Sequence, residues 1–206
     1  MTRIPDFATK PTLTGDLVVL RPFRPDQIPG MRAAMADPET RILTGSVHDE
    51  ATAHAPVSDE DVKFALDWFG TRNDQPDRLD LAITDRATGE CYGEAVLNQW
   101  DPGNQSCNFR ILIGPGGRGR GLGTEATRLI VGYGFEHLGL HRVSLEVYNF
   151  NPRARHVYEK AGFRAEGVLR ESLRYDEQWI DATVMSILAP EWAAHRGYPD
   201  APAVSG

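Results

Sequence analysis

The stretch "GPGGRGRGLGTEATRLI", Gly114 to Ile130, constrains this chain more than any other. Six glycines fall within ten residues, two arginines stand among them, and an amphipathic segment follows at once. No strand or helix runs through such a run, so the chain must turn here and begin a helix. A linker would separate two cores, yet the flanking segments are single elements that cannot bury their own apolar faces. An RGG-type nucleic-acid patch would need more cations and interleaved aromatics. The loop lacks the Lys-Ser or Lys-Thr of a Walker motif. Gly121, Gly123 and Ala126 satisfy G-x-G-x-x-A, but seven residues intervene after Ile113, and too little chain follows for a doubly wound sheet. The reading that remains is a pyrophosphate cradle at Arg118 to Gly123. There glycines let backbone approach an anion, helix-start amides face it, and Arg118 and Arg120 add charge-assisted contacts.

The rest of the composition narrows the class. At 206 residues, 41% hydrophobic, the chain suits one domain with a substantial core. The expected boundaries are an extension at 1–15, a domain at 16–192 and a fraying tail at 193–206, with the first dozen residues also fraying. A formal charge of −7 argues against nucleic-acid binding, and no apolar run approaches a membrane span. The opening "MTRIPDFATK" has no signal-type segment, so a cytoplasmic location is expected. Cys91 and Cys107 lack metal-ligand and redox spacing, so both read as buried hydrophobes and no metal is expected.

"DLVVLRPF" reads as a strand and "SDEDVKFALDWF" as a helix capped by Ser58, with Asp61 in the capping box and Val62, Ala65, Leu66 and Phe69 on its apolar face. "LDLAITD", "CYGEAVLNQW" and "SCNFRILI", parted by turn signals, predict an antiparallel meander. A helix is expected from about Thr124 to Leu138, then a buried strand "HRVSLEVY". Asn151 as N-cap and Pro152 open another helix that Gly162 stops, and a hairpin across "DEQ" closes the chain. Residues 31–58 read as loops without motifs. The fold class is mixed α/β (α+β) with a central, mostly antiparallel sheet.

Two spaced motifs carry a resemblance. "R-x-x-G-x-G" at Arg118, Gly121 and Gly123 resembles the acyl-CoA loop of the GNAT superfamily of N-acetyltransferases, and "GRGRGLGTEATRLIVGYGFEHLGLHRV" looks like its RimJ/RimL-type branch. "NPRARHVYEKAGF" is similar to that branch's N-x-x-A-x-x-x-Y-x-K-x-G-F segment. The resemblance implies a GNAT fold, splayed at an acyl-CoA cleft, with acetyl-CoA as cosubstrate and a primary amine as acceptor. The amine is a protein N-terminal α-amine or a small molecule. Succinyl-CoA as donor, or a CoA-binding module without activity, stay open. A homodimer is expected by analogy. Pantetheine would lie beside Ile111, Leu112 and Ile113. Phosphates would meet Arg118, Gly119, Arg120, Gly121, Leu122, Gly123 and Thr124, while Asn151, Arg153, Ala154 and Tyr158 would complete the cofactor-binding set.

Acyl transfer from a thioester needs a deprotonated amine, a stabilised oxyanion and a proton for the thiolate. Neither cysteine has a Cys-His arrangement, so direct attack is expected. Tyr158 is the candidate acid; its alternative role is packing, since it shares a helix face with Ala154, Val157 and Ala161. Many relatives carry a glutamate early in the strand before the loop, where "CNFRI" places Asn108 and Arg110 instead. Glu94, in the neighbouring strand, is the substitute base, or else an exposed structural glutamate. Deprotonating a lysine-like amine at pH 7 costs roughly 4 to 5 kcal/mol and an α-amine about 1, so a site without a clear base suits an α-amine.

Overall fold

The computed structural model describes residues 6–196. Eight strands form one sheet: β1 Leu13–Thr14, β2 Val18–Pro22, β3 Leu79–Asp85, β4 Cys91–Asp101, β5 Ser106–Ile113, β6 Arg142–Tyr148, β7 Arg164–Tyr175 and β8 Gln178–Leu188. Their order is β1-β2-β3-β4-β5-β6-β8-β7. All neighbours are antiparallel except β5 and β6, and that parallel pair holds register only from Ser106↔Arg142 to Asn108↔Ser144. Beyond Asn108, β5 keeps β4 as its neighbour and β6 keeps β8, so the sheet opens between them.

The expected meander is β3-β4-β5, and the closing hairpin is β7-β8. Helix α5, Leu122–Glu136, crosses from β5 to β6, and α6, Pro152–Lys160, follows β6. Along β5, Cys107 and Phe109 join α5's Ala126, Leu129 and Ile130 in the main core, with Ile111 and Ile113 packed at its edge. Leu112 faces the other way, onto a smaller core of Phe23, Met31, Phe69 and Ala82.

That second face is covered by α1 Ile28–Ala36, which α2 Pro38–Leu43 and α3 Glu50–His54 follow in a stretch the sequence reading treated as loops. Each of α2 and α3 has an aspartate cap, with Asp37 accepting from the Thr40 amide at 2.9 Å and Asp49 from Thr52 at 2.6 Å. Helix α4, Asp59–Arg72, has Ser58 as its cap, as expected. Val62 and Leu66, expected on its apolar face, lie outside the described side chains; Phe69 is buried and Ala65 packs beside it.

The N-terminal segment differs from expectation. Phe7 is buried at 2% exposure and tilted against Trp100 at 5.4 Å, so the chain does not fray from there on. At the other end α7, Ala189–His195, buries Trp192, whose indole donates to Glu136 at 2.9 Å. The rest of the expected tail, 197–206, lies outside the described residues. No helix among the described residues is long and apolar enough to cross a membrane.

Candidate active site

The glycine-rich loop divides into two halves with different physical reasons. A side chain on Gly114 would collide with Ala34, and one on Gly116 or Gly117 with Tyr92. These glycines serve packing. Gly119 and Gly121 hold left-handed backbone, φ +71° and +82°, and so turn the chain into α5. Gly123 is different: a methyl group there would meet only Ile113, at an ordinary 3.6 Å. Nothing in the polypeptide demands a glycine at 123.

The carbonyl of Gly121 accepts from the amides of Thr124 and Glu125, at 3.1 and 3.2 Å. Ahead of them, the amides of Leu122 and Gly123 have no carbonyl one turn behind, so they present partial positive charge at the mouth of the cleft. Leu122 itself is buried and can offer only its backbone. Glu125 anchors this turn: its carboxylate accepts from the amides of Asp16, Leu17 and Val18 at 2.7 to 2.8 Å. The glutamate of "TEA" is thus structural.

The arginines have partners within the protein. Arg118 and Arg120 were expected to face an anion, but both are turned onto the protein. Arg118 binds Asp37 and Thr40 at 2.5 Å, Glu39, and the Ile113 carbonyl at 3.1 Å. Arg120 pairs with Asp85 and reaches the Gly116 carbonyl at 3.2 Å. Arg153 also pairs with Glu39. In an acidic chain the nearest carboxylates neutralise these cations. The "DPE" of Asp37 to Glu39 could have been read as a helix start, with proline at the first position and acids around it.

Asn151 caps α6 as expected, accepting from the Ala154 amide at 3.1 Å. Tyr158 lies 7% exposed on that helix, its ring edge-on to Phe109 at 6.1 Å, and burial pushes its phenol above the ordinary range. It is therefore both a packing residue and an acid that stays protonated. Ala154 packs at the same core edge.

Glu94 is not exposed. It is buried on β4 at 3% exposure, opposite Ala82 and Leu112 on the face covered by α1 and α4. Oε1 accepts from Arg110 Nη2 at 2.7 Å, while Oε2 is buried without a hydrogen-bond partner among the described residues. Burial raises its pKa, against the pull of Arg110. Asn108, at the place of the missing carboxylate, donates to Asn98 Oδ1 at 3.0 Å. Burial pushes the thiols of Cys91 and Cys107 to about 11 and about 12, so neither supplies a thiolate at neutral pH.

A mixed sheet that parts between two parallel strands, with a glycine-built helix start at its mouth and a protonated phenol beside the opening, defines an acyl-CoA-dependent acyltransferase. The chain belongs to the GNAT acetyltransferase family, whose profile, described as an acetyltransferase (GNAT) domain, matches residues 18–164. It is 42% identical over 73 residues to the probable N-acetyltransferase YjcK of Bacillus subtilis, a match that spans 35% of this chain and 40% of that protein. It is 32% identical over 127 residues to the spermidine N(1)-acetyltransferase of Escherichia coli, covering 62% and 67%. A GCN5-related N-acetyltransferase from Brucella melitensis superposes with a TM-score of 0.73 at 25% identity, over 94% of this chain and 86% of that one.

Proposed function

We propose that this protein, a RimJ/RimL-like N-acetyltransferase, moves the acetyl group of acetyl-CoA to a primary amine by direct attack. The observation that carries the reading is Gly123, a glycine the polypeptide itself does not need, at an amide-bearing helix start where β5 and β6 part. A side chain there would fill the space that phosphate oxygens need. Ile111 to Ile113 would line the pantetheine and the backbone of residues 118–124 the phosphates, with Arg118, Arg120 and Arg153 able to turn to them from Asp37, Glu39 and Asp85, and Asn151 and Ala154 would form the flank of the arm. Bound acetyl-CoA supplies the acetyl group as a thioester, whose C–S bond breaks as the amide C–N bond forms.

Tyr158 gives its phenolic proton to the departing sulfur. Its pKa, raised by burial, keeps that proton available throughout neutral and mildly alkaline conditions. Glu94 takes the proton of the amine, and a carboxylate made more basic by burial suits that task.

Tyr158→Phe tests the assignment. It keeps the ring against Phe109 and removes the acid. The expected result is a fall in kcat of about 10²- to 10⁴-fold with acetyl-CoA affinity retained in calorimetric titration. Wild-type binding of acetyl-CoA without transfer to any amine would favour a CoA-binding module, and faster transfer from succinyl-CoA would change the donor.

A further inference from the structure

The sheet face opposite α5 carries a cluster of charges in which Arg72, Arg78 and Arg110 stand among the carboxylates Asp80 and Glu94, with Asp77 acting on Arg78 from the loop before β3. Asp80, on β3, takes Nε and Nη2 of Arg78 at 2.6 and 2.7 Å, which closes that pair. Arg72 stacks its guanidinium 3.3 Å above the Trp68 ring and donates to the Trp68 carbonyl and Thr71 Oγ1. It has no carboxylate partner among the described residues. Arg110 spends one Nη2 on Glu94, and its side chain remains 49% exposed.

Arg110 also stands in a telling place. It lies two residues beyond Asn108, the last β5 residue paired to β6, and so at the start of the opening. Its neighbour Phe109 points to the other face, against Tyr158. Arg110 shares its own face with Glu94, Asn98 and Asn108, the side that carries the proposed base.

We propose that Arg110 selects the acceptor, its open guanidinium edge binding the carboxylate of a small amine substrate. This rests on the N-acetyltransferase reading. A planar fork with donors to spare matches a carboxylate in two parallel hydrogen bonds, which an ammonium or an amide side chain cannot reproduce. An exposed guanidinium with unspent donors favours that anion and disfavours a polyamine, the acceptor named for the Escherichia coli relative.

The test pairs amines that differ only in the anion: alanine with alaninamide, β-alanine with β-alaninamide, 4-aminobutyrate with its amide, and spermidine alone. Acetyl transfer is followed in wild type, R110Q and R110K, with acetyl-CoA titration as control. Arg110 also holds Glu94. Because amidation alters amine basicity least where methylenes separate the groups, the kcat/KM ratio of the 4-aminobutyrate pair is the one least affected by a change in proton transfer. The expected result is a carboxylate-to-amide ratio that falls about tenfold or more in R110Q, through KM, with R110K in between. R110K keeps a cation beside Glu94 and carries the test if R110Q fails to fold. An unchanged ratio in both variants overturns the proposal, as does wild-type transfer confined to spermidine or absent from the whole set while acetyl-CoA is held. A wild type that does not bind acetyl-CoA overturns the underlying reading instead, and this proposal with it.

Discussion

Gly123 concentrates the residue-scale logic of the cradle. Exchanging a helical glycine for alanine in open space stabilises a helix by about 0.5 to 1 kcal/mol, and here the new methyl would touch only Ile113. If the position serves an anion, the same methyl stands over the first-turn amides. Gly123→Ala is therefore expected to raise or preserve Tm while weakening acetyl-CoA binding about tenfold or more, read by calorimetry beside a melting curve. Equal affinity in the variant would remove the main support for the cradle. The six glycines were legible as a turn and helix start, but not their division of labour. Which glycines touch Tyr92 and Ala34, and which face open space, depends on α1 and β4 folding against the loop. The arginines' ion pairs were not legible for a related reason. Their partners, Asp37, Glu39 and Asp85, lie far away in sequence, and a local motif carries no record of them.

Among the elements, β7 shows how a strand at the sheet's edge is tied to a strand it does not pair with. The β7–β8 register jumps from Ala165↔Met185 to Gly167↔Val184, a bulge that frees Glu166 to reach across β8. There it accepts from Arg142 of β6 at 2.5 and 2.7 Å and from Ser186 of β8 at 2.6 Å. These bonds, Arg142 foremost and then Ser186, hold its pKa at about 2 against an ordinary 4.5. The folded pKa is depressed, so the stabilisation is fully present above about pH 4.5 and disappears as pH falls toward 2. Glu166→Gln should lower the urea midpoint at pH 7 and approach wild type at pH 3. A constant gap across that range would show that the charge is idle. The β7–β8 hairpin itself was readable from its alternating residues and polar turn, since local pattern specifies a hairpin. The bulge was not, because it answers to an arginine on another strand. Helices α1 to α3 were missed on similar grounds. Short helices gain most of their stability from tertiary packing, and α2 rests on Arg118.

On the scale of the whole molecule, the N-terminal segment ties the main core to the loop before β3. Phe7 enters the main core beside Trp100, and Lys10, three residues on, donates to the carbonyls of Phe7, Gln75 and Arg78, each at 2.6 Å. Arg78 in turn engages Asp80 at the head of β3, so this contact steadies the backbone beneath the charged face that bears Arg110. No periodicity marks "PDFATK" as core, because a single aromatic in an irregular segment has no repeat to betray it. Its burial comes from contact with Trp100 and the main core, partners far away in sequence. Replacing a fully buried phenylalanine by alanine costs about 3 to 5 kcal/mol through lost transfer energy and the cavity left behind. Phe7→Ala is thus expected to destabilise the protein by that amount in urea unfolding. Amide exchange should accelerate at β1 and around residues 75–80 more than in α6, if the segment is a clasp for that edge. A loss below 1 kcal/mol, or exchange raised uniformly across the molecule, would mean instead that Phe7 merely covers a core already closed without it.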